Sequence, residues 1–216
     1  MTLTACLGYH RSQSFAFNEA MKDRYFSAVS AFLLLASVAL AQDPVNPVLR
    51  PPEGVRVAIV MFEDLECPDC RRAMPLIEEA AQTYKIPLVL HDFPLPSHEW
   101  SFAAAVMARY FDSHSKALGI QYRDYVFEHQ PEITKDNLRA SSEQFANEHK
   151  IDLPSIVDPQ GTFAAQVTAD RDLGKDIHVH GTPTIYVVSD KTQGKPFVEV
   201  VDRTQLYQLI DAMKSE

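Results

Sequence analysis

Two cysteines separated by two residues, Cys67-Pro68-Asp69-Cys70, are the residues whose type and spacing most directly imply chemistry. A pair at this spacing serves thiol–disulfide exchange or metal binding, and the flanking sequence bears on which. The apolar run from Arg56 to Phe62 reads as a strand leading in, and Pro68 reads as the first turn of a helix, where its missing N–H costs nothing. Cys67 then lies at a helix N-terminus, where unpaired backbone N–H groups and the positive end of the dipole favour the thiolate. This makes Cys67 the nucleophile. Cys70, about one turn further on, is placed to attack a mixed disulfide on Cys67 and release its partner, a resolving role that suits the more buried cysteine. Other uses stay open. A structural zinc needs four ligands, and without a second cysteine pair the set would fall to histidines such as His178 and His180. A metal-handling module carrying copper or zinc on Cys67, Cys70 and a histidine is a further reading, and an inert structural disulfide is the blandest.

The elements that must position the pair follow from the hydrophobic pattern. After Pro68, the positions Cys70, Ala73, Met74, Ile77, Ala80, Ala81 and Tyr84 recur at three- and four-residue steps, an amphipathic helix with Pro75 inside it as a kinking residue. Leu88 to His91 is a second strand, so strand, helix and strand imply a parallel pair with a right-handed crossover. From His98 to about Gly174 the pattern is helical, punctuated by Pro131, Pro154 and Pro159. Residues 183–188 and 197–201 read as the strands of a hairpin, and Gln205 to Met213 as a closing helix. The fold class is α/β, one domain with a helical insertion between its two halves. Trp100, Phe102 and Phe111 read as core.

The start of the chain follows a different logic. Met21-Lys-Asp-Arg24, the apolar run Phe26 to Leu40 and the small-residue end at Ala41 have the layout of a secretory signal, shorter than the roughly 20 residues that span a bilayer. Residues 21–41 are therefore expected to be a signal, and residues 1–20 an upstream extension mis-assigned to the protein, with translation starting at Met21. Residues 42–54, rich in proline, read as an extended lead-in. Cleavage after Ala41 removes Cys6 and leaves Cys67 and Cys70 as the only cysteines of an exported protein, in a compartment where disulfides persist. Without cleavage the protein stays anchored. Over 216 residues the formal net charge is −9, with 46% hydrophobic residues, which excludes disorder and argues against nucleic acid as a partner.

Several markers together give the chain a resemblance. They are Phe62 and Asp64 before the cysteine pair, Pro75 in the helix, the loop Asp92-Phe-Pro-Leu-Pro-Ser-His98, the helical insertion, and Val179-His-Gly-Thr-Pro-Thr184. Over about residues 55–214 the chain resembles the thioredoxin superfamily, and within it the DsbA-like branch. The resemblance implies a thioredoxin fold over residues 55–216 with the insertion at about 99–175. It also implies a cis-proline at Pro183 facing the cysteines, and a preceding Thr182 whose backbone hydrogen-bonds an extended substrate chain. The implied function is an exported thiol–disulfide oxidoreductase that forms disulfides in cysteine-containing proteins, with reductase or isomerase as the alternative direction. No cofactor beyond the cysteine pair and no metal is expected, and the protein would be a monomer, periplasmic or extracellular, with a membrane redox partner that regenerates the pair.

The sequence also departs from that family. A buried acid often stands six residues before the first cysteine to move protons for the second, whereas here the position is Met61. Glu63, Asp64 and Glu66 lie near, but none is expected to inherit the role. Asp69 and Glu66 put negative charge beside Cys67, which disfavours its ionisation, so with Pro68 they are read as tuning residues that make the pair less oxidising than the strongest members. A histidine among His98, His178 and His180 is expected to approach Cys67 only as a minor alternative.

Overall fold

The computed structural model describes residues 45–191 and 195–215. The upstream extension, the signal and the first residues of the lead-in lie outside the described residues. Strand β1, Val57–Glu63, is buried along its whole length, as a near-continuous apolar run requires of a central strand. Helix α1, Pro68–Tyr84, buries Cys70, Ala73, Met74, Ile77, Ala80 and Ala81 on one face and continues through Pro75. It ends at Lys85, whose left-handed backbone (φ 50°) turns its N–H back onto the carbonyls of Ala81 and Gln82. Strand β2, Leu88–Asp92, then pairs in parallel with β1.

Four helices follow in the insertion: α2, Ser101–His114; α3, Lys116–His129; α4, Leu138–Glu148; and α5, Thr162–Asp176. Strand β3, Thr184–Ser189, runs antiparallel to β1, strand β4, Phe197–Glu199, runs antiparallel to β3, and helix α6, Leu206–Ser215, closes the chain. The sheet order is β2-β1-β3-β4. Period-two alternation sends Ile59 and Met61 into a core shared with the cysteines, α1, α6 and the insertion, while Ala58, Val60 and Phe62 face a second core around Phe93, Val179 and Tyr186.

Three details differ from the sequence reading. Glu63 and Asp64, acids that follow the apolar run ending at Phe62, are buried, Glu63 inside β1, because each has charged or polar partners waiting for it. The lead-in is not simply extended: Pro47–Leu49 forms a 3-10 turn that seats Val48 and Leu49 in the second core. Strand β4 stops at Glu199, two residues earlier than expected, and Val201 beyond it is exposed.

Candidate functional site

The cysteine pair sits where β1 hands over to α1. The Cys67 N–H donates to the Asp64 carbonyl at 3.0 Å, and Cys67 caps α1 with an extended backbone of φ −76° and ψ 116°. Both thiols are free; Cys67 is 6% exposed and Cys70 0%. The register Phe62↔Thr184 brings the segment before β3 to the same edge. There the Cys67 thiol donates to the Thr182 carbonyl at 3.3 Å, and the Thr182–Pro183 peptide bond is cis.

This setting gives the two sulfurs opposite tendencies. A hydrogen bond from Cys70 holds the Cys67 thiol well below its ordinary range, at about 5, against the opposing pull of burial. The Thr182 hydroxyl and the backbone N–H groups of Cys70 and Asp69 add to the effect, the latter two as unpaired donors of the helix start. That hydroxyl is buried with no other hydrogen-bond partner, so it is free to serve the Cys67 thiolate. Burial pushes the Cys70 thiol up, and the hydrogen bond to Cys67 and the charge there push it further. One sulfur is thus biased toward the thiolate near neutral pH and its neighbour toward the thiol.

A hydrogen-bond set that the sequence did not foresee, with Ser101 and Gln130 joining Asp64 and His98, holds this loop in place. The Asp64 carboxylate accepts from the Glu66 N–H at 2.8 Å, the Leu95 N–H at 2.7 Å, His98 Nδ1 at 2.7 Å and the Ser101 hydroxyl at 2.5 Å. Gln130, buried just after α3, donates from Nε2 to the carbonyls of Leu65 at 2.8 Å and Cys67 at 3.1 Å. No local pattern marks Gln130, which is 63 residues from Cys67 along the chain.

Glu63, which was not expected to inherit the role of the acid missing at Met61, is the carboxylate whose charge bears on Cys70. It lies two residues after Met61, hence on the same strand face, and it is 1% exposed. Arg123 Nε donates to Glu63 Oε1 at 2.9 Å, while Oε2 has no partner. Burial pushes the carboxyl up to about 7 despite the Arg123 guanidinium, and the buried Asp92, opposite Glu63 in the β1–β2 register, pushes the same way. Its charge acts on Cys70, whose sulfur also meets the backbone N–H of Asp64. Arg123 in turn donates Nη2 to Asp92 at 3.0 Å, and Arg109 Nε donates to Asp92 at 2.5 Å and Nη2 to Asp170, so the base of the site is ionic rather than apolar.

The two acids expected to burden Cys67 are otherwise engaged. Glu66 Oε2 accepts from the N–H groups of Trp100 at 2.7 Å and Ser101 at 3.0 Å, satisfying the start of α2. Asp69 is held by Arg203 Nη2 at 3.0 Å and Arg72 Nη2 at 3.0 Å, with Arg203 first in keeping its carboxyl below the usual range. Pro68 is exposed at the first helical position. His98 is committed to Asp64, and His178 and His180 are exposed and stacked on each other with centroids 6.4 Å apart. Among the described residues no group of three or more His, Cys, Asp or Glu side chains is placed to hold a metal ion.

Comparison with known proteins places this geometry in a wider group. Residues 53–211 match the family model described as Thioredoxin. A Wolbachia pipientis α-DsbA1 variant superposes with a TM-score of 0.64 at 14% identity, over 79% of this chain and 95% of that one. The thiol-disulfide exchange protein α-DsbA2 from Wolbachia pipientis gives 0.60 at 20% identity, over 91% and 99%, and the catalytic domain of Proteus mirabilis ScsC gives 0.60 at 16%, over 77% and 88%. At these identities the likeness is one of fold, helical insertion included. A curated relative, the Na(+)/H(+) antiporter NhaA 3 of Salinispora tropica, is 25% identical over 168 residues, 74% of this chain, and the chain spans only 24% of its length.

Proposed function

The chain belongs to the thioredoxin family and has the DsbA-like form of its fold, and from that premise we propose that it is a protein thiol–disulfide oxidoreductase working through Cys67 and Cys70. The observation that carries this reading is the division of labour between the sulfurs, with Cys67 held down to about 5 and Cys70 buried and held protonated. In the oxidising direction a substrate thiolate attacks Cys67 in the Cys67–Cys70 disulfide. The S–S bond breaks, Cys70 leaves and takes a proton, and a substrate–Cys67 mixed disulfide forms. A second substrate thiolate then attacks the substrate sulfur of that bond. Cys67 leaves as the stabilised thiolate, the substrate gains a disulfide, and two electrons remain on the pair.

Thr182 and Pro183 present backbone to an extended substrate chain beside Cys67, with the Thr182 carbonyl already serving as an acceptor for the thiol. The pair itself is the redox carrier, without a further cofactor. Substrates are cysteine-containing proteins outside the cytoplasm, in the periplasm or beyond, and a membrane partner restores the disulfide to a monomeric enzyme. No helix among the described residues is long and apolar enough to cross a membrane.

A thiolate pKa of about 5 falls between the ~7 of thioredoxin and the ~3.5 of DsbA. Because thiolate stabilisation favours the reduced pair, the potential should lie between ~−270 and ~−120 mV, less oxidising than the strongest family members. Equilibration in defined glutathione buffers measures it, and a value at the DsbA end overturns this part of the reading.

The function is tested by trapping. Cys70→Ala accumulates mixed disulfides between Cys67 and exported proteins, and Cys67→Ser abolishes them together with thiol oxidation of a dicysteine peptide. Absence of any mixed disulfide, with copper or zinc retained stoichiometrically by the purified protein, overturns the reading in favour of metal handling.

A further inference from the structure

Arg203 comes to the start of α1 from the far end of the chain. It opens the 3-10 turn Arg203–Gln205, where the Asp202 carboxylate accepts from the Thr204 N–H at 3.0 Å and the Thr204 hydroxyl at 2.7 Å. Just upstream, the Val200 N–H donates to the carbonyl of Ile185, two residues beyond Pro183. The turn is therefore tied to the segment that faces Cys67. From it the guanidinium makes two contacts with one residue, Nη2 to Asp69 Oδ1 at 3.0 Å and Nη1 to the Asp69 carbonyl oxygen at 3.4 Å.

As a contribution to stability this contact is slight, since the two side chains are 34% and 42% exposed and water screens them. Its place gives it another use. Asp69 is two residues from Cys67, and its N–H is among the donors that hold the Cys67 thiolate. An uncompensated carboxylate there works against the same anion. Arg72 reaches the same oxygen, but its side chain is 67% exposed, so it competes with solvent more than Arg203 does. The charged or titratable groups near Cys67 also include Cys70 and the exposed Arg71 on α1, Glu63 at the end of β1, which bears on Cys70, Asp64, which is held by His98, Glu66 on the loop from β1, already bound by two N–H groups, and the exposed His178 and His180 before Thr182.

We propose that Arg203 is a positioning residue for the redox pair, which cancels the charge of Asp69 and so sets how much Cys67 thiolate the protein holds at a given pH. The proposal rests on the disulfide-exchange reading and deepens it, because it assigns a tuning group to the same site from outside the C-x-x-C segment. It also gives Asp69 a use: the aspartate draws Arg203 to the helix start without leaving a net negative charge there.

The test is the titration of the Cys67 thiolate by its ultraviolet absorbance in the reduced full-length protein, for wild type, Arg203→Gln, Arg203→Lys, Asp69→Asn and the Arg203→Gln/Asp69→Asn double variant. Arg203→Gln is expected to raise the midpoint by about half to one unit, roughly three- to tenfold less thiolate on the acid side, and Arg203→Lys to restore most of it. In the Asp69→Asn background the same change leaves the midpoint where it was. A midpoint unmoved by Arg203→Gln, or an equal shift in both backgrounds, overturns the proposal; equal melting temperatures of the oxidised forms show that the variants fold. The titration reads the Arg203 effect whether or not exchange occurs, so a wild-type protein inactive toward a dicysteine peptide overturns the function and not this coupling.

Discussion

At the scale of single residues, the proposed disulfide exchange depends on where protons sit. Cys70 must lose its proton to attack a mixed disulfide and regain it when it leaves, yet its burial makes the anion costly. Glu63 is the acid whose charge reaches Cys70, and with its carboxyl pushed up to about 7 it is present in both forms at neutral pH, the condition for efficient proton transfer. Glu63→Gln keeps an oxygen for Arg123 and removes the titration together with the charge. The expected outcome is a mixed disulfide that persists about tenfold or more longer at neutral pH, with first attack by Cys67 little changed. Rapid acid quenching of the intermediate measures both steps, and an unchanged lifetime removes Glu63 from the mechanism. The cysteine spacing was legible because it is local. The role of Glu63 was not: an acid at the end of an apolar run reads as the boundary of a strand, and only the packing of Arg123, 60 residues away, shows that the strand continues through it.

At the scale of elements, hydrophobic period carried the reading far. The parallel β1–β2 pair, the Pro-led helix, the helical insertion and the last helix all stand within a few residues of their expected places, because each buries a face whose period the sequence displays. What period does not display is the approach of one element to another. Helix α5 lies so close to the second core that a Cβ on Gly174 would stand 2.6 Å from the Phe93 ring and 3.1 Å from Phe62. Both rings are fixed by their own packing, edge to face with centroids 6.1 Å apart. Gly174→Ala is therefore expected to destabilise the protein by about 1–3 kcal/mol despite the better helix propensity of alanine. Chemical denaturation reads this directly, and a neutral or stabilising outcome means that α5 can shift away from the sheet. The lead-in misled for a related reason, since four prolines hide the fact that Val48 and Leu49 have a core to enter.

At the scale of the whole molecule, the site is coupled to stability through protons. In the reduced protein Cys67 titrates at about 5 when folded and near the ordinary thiol range when unfolded, so between about pH 5 and pH 9 the unfolded chain binds more protons. Reduced-state stability from this group therefore rises with pH across that window and is lost as pH falls through 5. Glu63 and Glu78 act with the opposite sign. Both carboxyls are raised to about 7, by burial first and for Glu78 also by the neighbouring Asp124, so the folded state binds more protons and their contribution declines from about pH 4.5 to 7. The total curve mixes these effects, but Glu63 and Glu78 titrate in both redox forms, while Cys67 titrates only in the reduced one. The difference between reduced and oxidised stability isolates the two thiols, and Cys70, held protonated by the fold, opposes Cys67 only as pH nears the ordinary thiol range. The difference should grow with pH from about 5 toward 9, at no more than about 1.4 kcal/mol per pH unit. Paired denaturation curves in the two redox states across this range measure it, and Cys67→Ser, unable to form the pair, serves as the reference. A difference that is flat with pH means that the Cys67 anion is not stabilised by the fold, and with it goes the physical basis for the leaving-group role assigned to Cys67; a difference that rises as described ties that stabilisation to the start of α1.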